Sequence, residues 1–355
     1  MSEVSETTFN FPSCEETMQH PAYTSAVWGL EPHSSGKLAV AKGRGGPLNL
    51  YWEVHGQGPT KIVLIMGLGA ILTTWQIQTH YFGHLHGDKY TVLVFDNRGI
   101  GRSDAPVFRY STSAMALDTI ELLDHLGWTS PRQLNIAGLS LGGMIAQEIA
   151  CLIPQRIQSL SLLCTTAYAE SGKSLSQSIW LHLKRFRPKT EDQSIHDTAR
   201  TVFPLEFLTA KDDTIVLPSP RTTPKCRPAD TPDGEYPHFD SHFQRFQAQE
   251  LHKRHGKVGT FTRSGFFCQL SAAAGHSKSA AQLAKMADEV GRERILVMHG
   301  ARDDTLVVRN GERLIREVKP GVGIIVEGMG HAPIMERSTW FNEFLEERLG
   351  AWGKL

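Results

Sequence analysis

Gln133-Leu134-Asn135-Ile136-Ala137-Gly138-Leu139-Ser140-Leu141-Gly142-Gly143-Met144-Ile145 changes character at its centre. Residues 133–137 form a short apolar run, the pattern of a buried strand. From Leu141 to Ile153 the apolar positions suit a helix, which Pro154 stops. Between them stands Gly138-Leu139-Ser140-Leu141-Gly142, a G-x-S-x-G sequence in the strand–turn–helix context that such a sequence needs. A turn this sharp forces Ser140 into an uncommon backbone conformation with its hydroxyl exposed. The residues two before and two after it then come close together, so glycine is required at 138 and 142. The helix that follows directs free N–H groups and its positive dipole end at the same place.

Outward from this turn the strand and helix patterns alternate. Leu48 to Val54 partly alternates and is followed by the turn Gly56-Gln57-Gly58-Pro59. Residues 61–66, 90–95 and 157–163 read as buried strands, and Ser113 to Leu126 carries apolar residues at helical spacing. Near residue 165 the alternation breaks. The segment to about 290 holds Pro clusters, many His and Arg and no clear strand, with helical patterns at Ser174–Phe186 and His242–His255. The rhythm returns with a strand at 294–299, a helix near 307–318, a strand at 322–326 and a last helix from about 339 to 349. The expected architecture is α/β: a mostly parallel central sheet flanked by helices, split by an inserted, mostly helical piece. The expected divisions are an N-terminal extension at 1–36, a core at 37–165 and 290–355, and an insertion at 166–289.

Composition narrows the class. With 355 residues, 40% hydrophobic and 21% charged, the chain has enough apolar residues for a large core and is not a disordered polymer. Lys plus Arg equals Asp plus Glu at 37 each, so no global charge draws it to nucleic acid or an anionic membrane. No apolar run approaches the length that spans a bilayer. The polar, acidic start, MSEVSETTFNFPSCEETM, has no apolar h-region, which predicts a cytoplasmic protein. The tail Gly353-Lys354-Leu355 is similar to a peroxisomal Ser-Lys-Leu signal but lacks its Ser, a weaker alternative address. The five cysteines are odd in number, scattered and never spaced C-x-x-C, which fits a reducing compartment, with Cys151 and Cys164 expected as buried thiols.

A serine hydroxyl needs a base, and the base an orienting carboxylate. After the strand at 294–299 comes Gly300-Ala301-Arg302-Asp303-Asp304, and after the strand at 322–326 comes Gly328-Met329-Gly330-His331. Both sets lie at carboxyl ends of strands, where open α/β sheets gather their ligands, and in the order serine, acid, histidine. Asp303 is preferred to Asp304 because it stands three residues past Gly300. Cys164-Thr165-Thr166, after the preceding core strand, offers no carboxylate to compete. Acyl transfer also needs donors for an oxyanion. The loop Met66-Gly67-Leu68-Gly69-Ala70 follows a strand, so the backbone N–H groups of Leu68 and Leu141 are the expected pair.

Asp96-Asn97-Arg98-Gly99-Ile100-Gly101-Arg102-Ser103-Asp104 resembles the D-x-R-G-x-G-x-S stretch of the α/β-hydrolase superfamily. Together with the serine turn, Gly-x-x-Asp and Gly-x-Gly-His, the resemblance covers roughly residues 48–165 and 290–350. It implies an α/β-hydrolase fold and identifies the insertion as a cap, or lid, over the active site. It also implies a cofactor-independent serine hydrolase acting through an acyl-enzyme on a carboxylic ester, and the expected lack of a secretory signal suggests an intracellular small molecule as substrate. Many members carry His-Gly before the oxyanion loop; this chain has Met66-Gly67, which is similar to esterase-like members including methyl esterases of polyketides and suggests secondary metabolism. The haloalkane dehalogenase and epoxide hydrolase branches use Asp as nucleophile, so Ser140 argues against both. Thioester, amide or carbon–carbon cleavage and acyl transfer to an alcohol use the same triad and stay open. A non-catalytic ligand-binding protein on this fold fits less well with a complete set of Ser, Asp and His.

Met66, Trp75 and Leu139 are candidate pocket residues. The aromatic residues Trp180, Phe186, Phe203, Phe207, Phe243, Phe246, Phe266 and Phe267 suit an apolar pocket or the packing of the cap itself. His84 with His86, His238 with His242, and His252 with His255 have metal-like spacing, but no clustered Cys and no H-E-x-x-H accompanies them, so no metal is expected. Gly67-Leu68-Gly69 lacks the third glycine of a dinucleotide loop, and no P-loop occurs.

Overall fold

The computed structural model describes residues 10–168, 189–256 and 261–355. Eight strands form one sheet: β1 Ser34–Val40, β2 Leu48–His55, β3 Thr60–Ile65, β4 Tyr90–Phe95, β5 Leu134–Leu139, β6 Ile157–Leu163, β7 Ile295–Gly300 and β8 Val322–Val326. Their order is β1-β2-β4-β3-β5-β6-β7-β8. β2 is antiparallel to β1 and β4, and the six strands from β4 to β8 run parallel.

Period-two alternation sends successive side chains of these strands to opposite faces. Val63 and Ile65, Leu93 and Phe95, Ile136, Leu160 and Val297 join one apolar cluster. Ile62 and Leu64, Val92 and Val94, Ala137, Leu163 and Leu296 join the other. Both faces are covered, which is why these strands read as unbroken apolar runs rather than alternating ones. The first cluster takes in the helices Thr112–His125, Leu141–Leu152, Ala280–Val290 and Arg309–Val318. The second takes in the helical stretch 72–85, the helix Ser338–Trp352 and residues of the insertion, among them Ile195, Ala199, Phe203 and Phe243.

Several elements lie where periodicity gives no signal. β1 pairs with β2 on the sheet's edge, and its Ser-Ser-Gly-Lys start hides it. The helix Glu191–Val202 is strongly polar and is marked only by its capping box, Thr190 with Gln193. The helices Arg263–Ala274 and Ala280–Val290 begin at Thr262 and Ser279 caps. The helical pattern read at 174–186, with Trp180 and Phe186, lies outside the described residues.

Residues 10–33 pack on the segment between β6 and β7 and on the helical stretch 72–85. Cys14 N–H donates to Asp192 at 2.6 Å, Trp28 N–H to Gln76 at 3.0 Å, and Leu30 bridges Cys226. All five cysteines are free thiols. No helix among the described residues is long and apolar enough to cross a membrane.

Candidate active site

Ser140 stands between β5 and the helix Leu141–Leu152 with φ 56° and ψ −120°. Its N–H donates to Leu163 of β6 at 2.9 Å, and its carbonyl accepts the N–H of Gly143 and the hydroxyl of Thr165. The turn is therefore held from both sides and the strain is paid by its neighbours. A Cβ on Gly138 would sit 2.3 Å from the Gly142 carbonyl oxygen, and one on Gly142 2.1 Å from that of Ile65. These contacts are the physical reason for glycine at the two positions that flank Ser140. The serine itself is partly exposed.

The loop after β3 runs past the serine. A Cβ on Gly67 would lie 3.1 Å from Ser140 Cβ and 3.7 Å from its Oγ. Among the described residues, the N–H groups of Leu68 and Leu141 donate to no protein acceptor, which leaves two donors beside Ser140 for a ligand oxygen. The stretch 96–104 braces this loop. Asp96 accepts from Leu72 N–H and Arg102 N–H, each at 2.8 Å, and Asn97 Nδ2 donates to Met66 O at 3.0 Å. Ser103 Oγ donates to Asp96 O, and the buried Arg98 is paired with Asp118. The D-x-R-G-x-G-x-S pattern is thus a support for the loop.

Asp303 and His331 meet at the carboxyl ends of β7 and β8. His331 Nδ1 lies 2.7 Å from Asp303 Oδ2, while Thr305 N–H and Leu306 N–H donate to Oδ1 at 2.9 and 2.8 Å. Asp304 is exposed and Asp303 buried. Burial raises the Asp303 carboxyl, but His331 beside it and the bond from His299 outweigh that and hold it at about 2. Asp303 is therefore an anion across the neutral range.

Three supporting residues escaped the sequence reading. His299 Nε2 lies 3.2 Å from Asp303 Oδ2 and 2.7 Å from Leu306 O. Its place at the end of β7, four residues before the acid, was a signal. Glu336 accepts from Gly330 N–H at 2.8 Å and Ala332 N–H at 3.0 Å, fixing the backbone on both sides of His331. Val202 of the insertion accepts His331 N–H at 2.8 Å. Neither of the last two had a local signal, because each bond joins segments that only the tertiary fold brings together.

Met66 and Leu139 are buried together with Phe203, Phe243 and Phe246 of the insertion. Trp75 is wholly buried in the same cluster. Phe207 stacks on His242, and Phe266 lies against Gly69. The spaced histidines have other partners: His84 meets His55 and Pro224 O, His242 meets Asp212, His252 meets Tyr23 O and His255 meets Glu191. Among the described residues, one group of potential metal ligands comes close together, Cys164 with His299 and Asp303. Asp303 is already engaged there with His331, and burial and the Asp303 charge push the Cys164 thiol well up, away from the thiolate a metal needs.

A family model described as the alpha/beta hydrolase fold matches residues 61–204. That match covers less than half of the chain, and the fold as a whole is the α/β-hydrolase fold. Among solved structures, this hydrolase-fold chain is similar to a hydrolase from Pseudomonas aeruginosa PA01, with a TM-score of 0.65 at 22% identity over 90% of this chain and 100% of that one. A thermophilic esterase from Thermogutta terrifontis gives 0.65 at 20% identity over 90% of this chain and 99% of that one. Among curated proteins, 3-oxoadipate enol-lactonase 2 of Acinetobacter baylyi is 36% identical over 106 residues, which is 30% of this chain and 37% of that protein. The match to the first curated relatives spans between 32% and 60% of their length.

Proposed function

We propose that the protein is a serine hydrolase that cleaves a carboxylic ester of a small molecule. The observation that carries this reading is the buried Asp303–His331 pair at the carboxyl end of the sheet, where a serine is held at positive φ beside two N–H groups without an acceptor among the described residues. Ser140 Oγ attacks the carbonyl carbon while His331 takes its proton. Asp303, already ionised, fixes the imidazole tautomer and stabilises the imidazolium. The N–H groups of Leu68 and Leu141 receive the oxyanion, each lowering the barrier by on the order of 3 kcal/mol. His331 then protonates the leaving alcohol, and water activated by the same imidazole releases the acid and restores Ser140.

In this reading the insertion, residues 166–289, is a cap on a core of 37–165 and 290–355, and residues 1–36 are an extension. Met66, Trp75 and Leu139, the proposed pocket residues, share one apolar cluster with Phe203, Phe243 and Phe246 of the cap. Relatives named as an esterase and an enol-lactonase support ester chemistry. The test is hydrolysis of p-nitrophenyl esters from acetate to decanoate by wild type and Ser140→Ala. Turnover that depends on Ser140 is expected; turnover retained in Ser140→Ala would overturn the assignment.

A further inference from the structure

We infer that Gln269 and Lys253, both in the insertion, are positioning residues that clamp Gly69 and thereby set the oxyanion loop, so that docking of the insertion and readiness for catalysis are a single event. The inference rests on the proposed serine-hydrolase reading. Gln269 is completely buried. Its Oε1 accepts Gly69 N–H at 2.9 Å, and its Nε2 donates to Arg98 O at 2.8 Å. Lys253, also buried, donates from Nζ to Gly69 O at 3.1 Å and pairs with Glu250. Both polar groups of one glycine in the catalytic loop are thus satisfied by side chains from the insertion.

The geometry around the clamp has little slack. A Cβ on Gly69 would lie 2.8 Å from the Phe266 ring, and one on Gly265 would lie 2.0 Å from Gly99 O. The helix Arg263–Ala274 therefore sits flush on the oxyanion loop and on the loop that braces it. Gly69 has φ 68° in the turn closed by Ala70 N–H on Gly67 O at 3.5 Å, and the two side-chain bonds tie that turn to the insertion. With Gly69 N–H taken by Gln269, the adjacent Leu68 N–H is the donor left for the oxyanion. Tilting the Gly69 peptide would turn the Leu68 N–H away, because the two share one short segment of backbone.

Gln269→Met removes both amide bonds at similar volume, and Lys253→Met removes the carbonyl side of the clamp as a second, independent variant. Two readouts separate positioning from packing: amide deuterium exchange across residues 67–72, and the division of the kinetic effect between kcat and KM. Exchange in Gln269→Met at least about tenfold faster than wild type is expected, with kcat down about tenfold or more and KM within threefold. If that variant fails to fold, Lys253→Met carries the same two expectations. Unchanged exchange, or a rise in KM with kcat intact, would overturn the clamp. Faster exchange in a protein that hydrolyses no ester and takes no fluorophosphonate in the wild type would instead remove the serine-hydrolase reading and, with it, the catalytic half of the inference, leaving the clamp as structure.

Discussion

His331 Nδ1 faces Asp303 Oδ2 at 2.7 Å, and the neighbouring carboxylate, Asp304, points to solvent. The asymmetry arises because the backbone after β7 turns so that Thr305 and Leu306 donate to Asp303, drawing that side chain inward. Asp303→Asn keeps the shape but lets the residue donate to the imidazole, which favours the wrong tautomer. It is expected to lower kcat on the order of 10⁴-fold, against less than about threefold for Asp304→Asn. Steady-state kinetics on a p-nitrophenyl ester would compare them, and a larger loss in Asp304→Asn would move the acid by one position.

Ser140 carries backbone strain, since φ 56° with ψ −120° is a conformation that side chains disfavour. Such a residue costs of order 1–3 kcal/mol, of which glycine would recover most while losing somewhat more entropy on folding. Ser140→Gly should therefore be more stable than Ser140→Ala by about 1 kcal/mol, with both inactive. Urea unfolding of the two variants gives the difference. Equal midpoints would mean that the turn is not strained.

The sequence was most legible where one local rule sufficed. The strands β3 to β7 announce themselves as apolar runs because both sheet faces are covered, and the serine turn because steric contact demands glycine at 138 and 142. Asp303 and His331 could be placed from strand ends and chain order. What stayed hidden depends on distant partners. Glu336 matters through the Gly330 and Ala332 N–H groups, and Gln269 through a bond to Gly69 two hundred residues away in the chain. The polar helix Glu191–Val202 has an apolar face too narrow to stand out, yet Val202 holds the backbone of His331.

Gly142 sits where the serine turn presses on β3. A methyl group there would meet Ile65 O at 2.1 Å and Met66 O at 2.9 Å, both backbone atoms that cannot rotate away. Gly142→Ala must displace either the helix start or the oxyanion loop. The expected cost is about 2–3 kcal/mol or more in chemical denaturation, with activity down at least tenfold. Gly350→Ala is the control, because nothing lies within 4 Å of its added Cβ and it falls in a helix, where alanine is favoured. Equal stabilities for Gly142→Ala and wild type would show that the serine turn relaxes freely.

Glu148 links the helix Leu141–Leu152 to the end of the insertion. Lys278 Nζ lies 2.6 Å from one oxygen, and Thr112 Oγ1 lies 3.2 Å and His276 Nδ1 3.6 Å from the other. Burial raises the Glu148 carboxyl, but nearby His276 and the bonded Lys278 outweigh it and lower the value from 4.5 to about 2. A depressed carboxyl contributes stability that is present above its unfolded value and is lost as pH falls toward the folded one. Wild type should therefore lose stability as pH drops from about 4.5 toward 2. Glu148→Gln leaves Lys278 buried without its partner and is expected to cost about 3 kcal/mol at pH 7. Between pH 5 and pH 3 its stability should fall less than that of wild type, so the two curves converge in acid. Urea midpoints measured across that range test the idea, and parallel curves would show that Glu148 is protonated in both states or in neither.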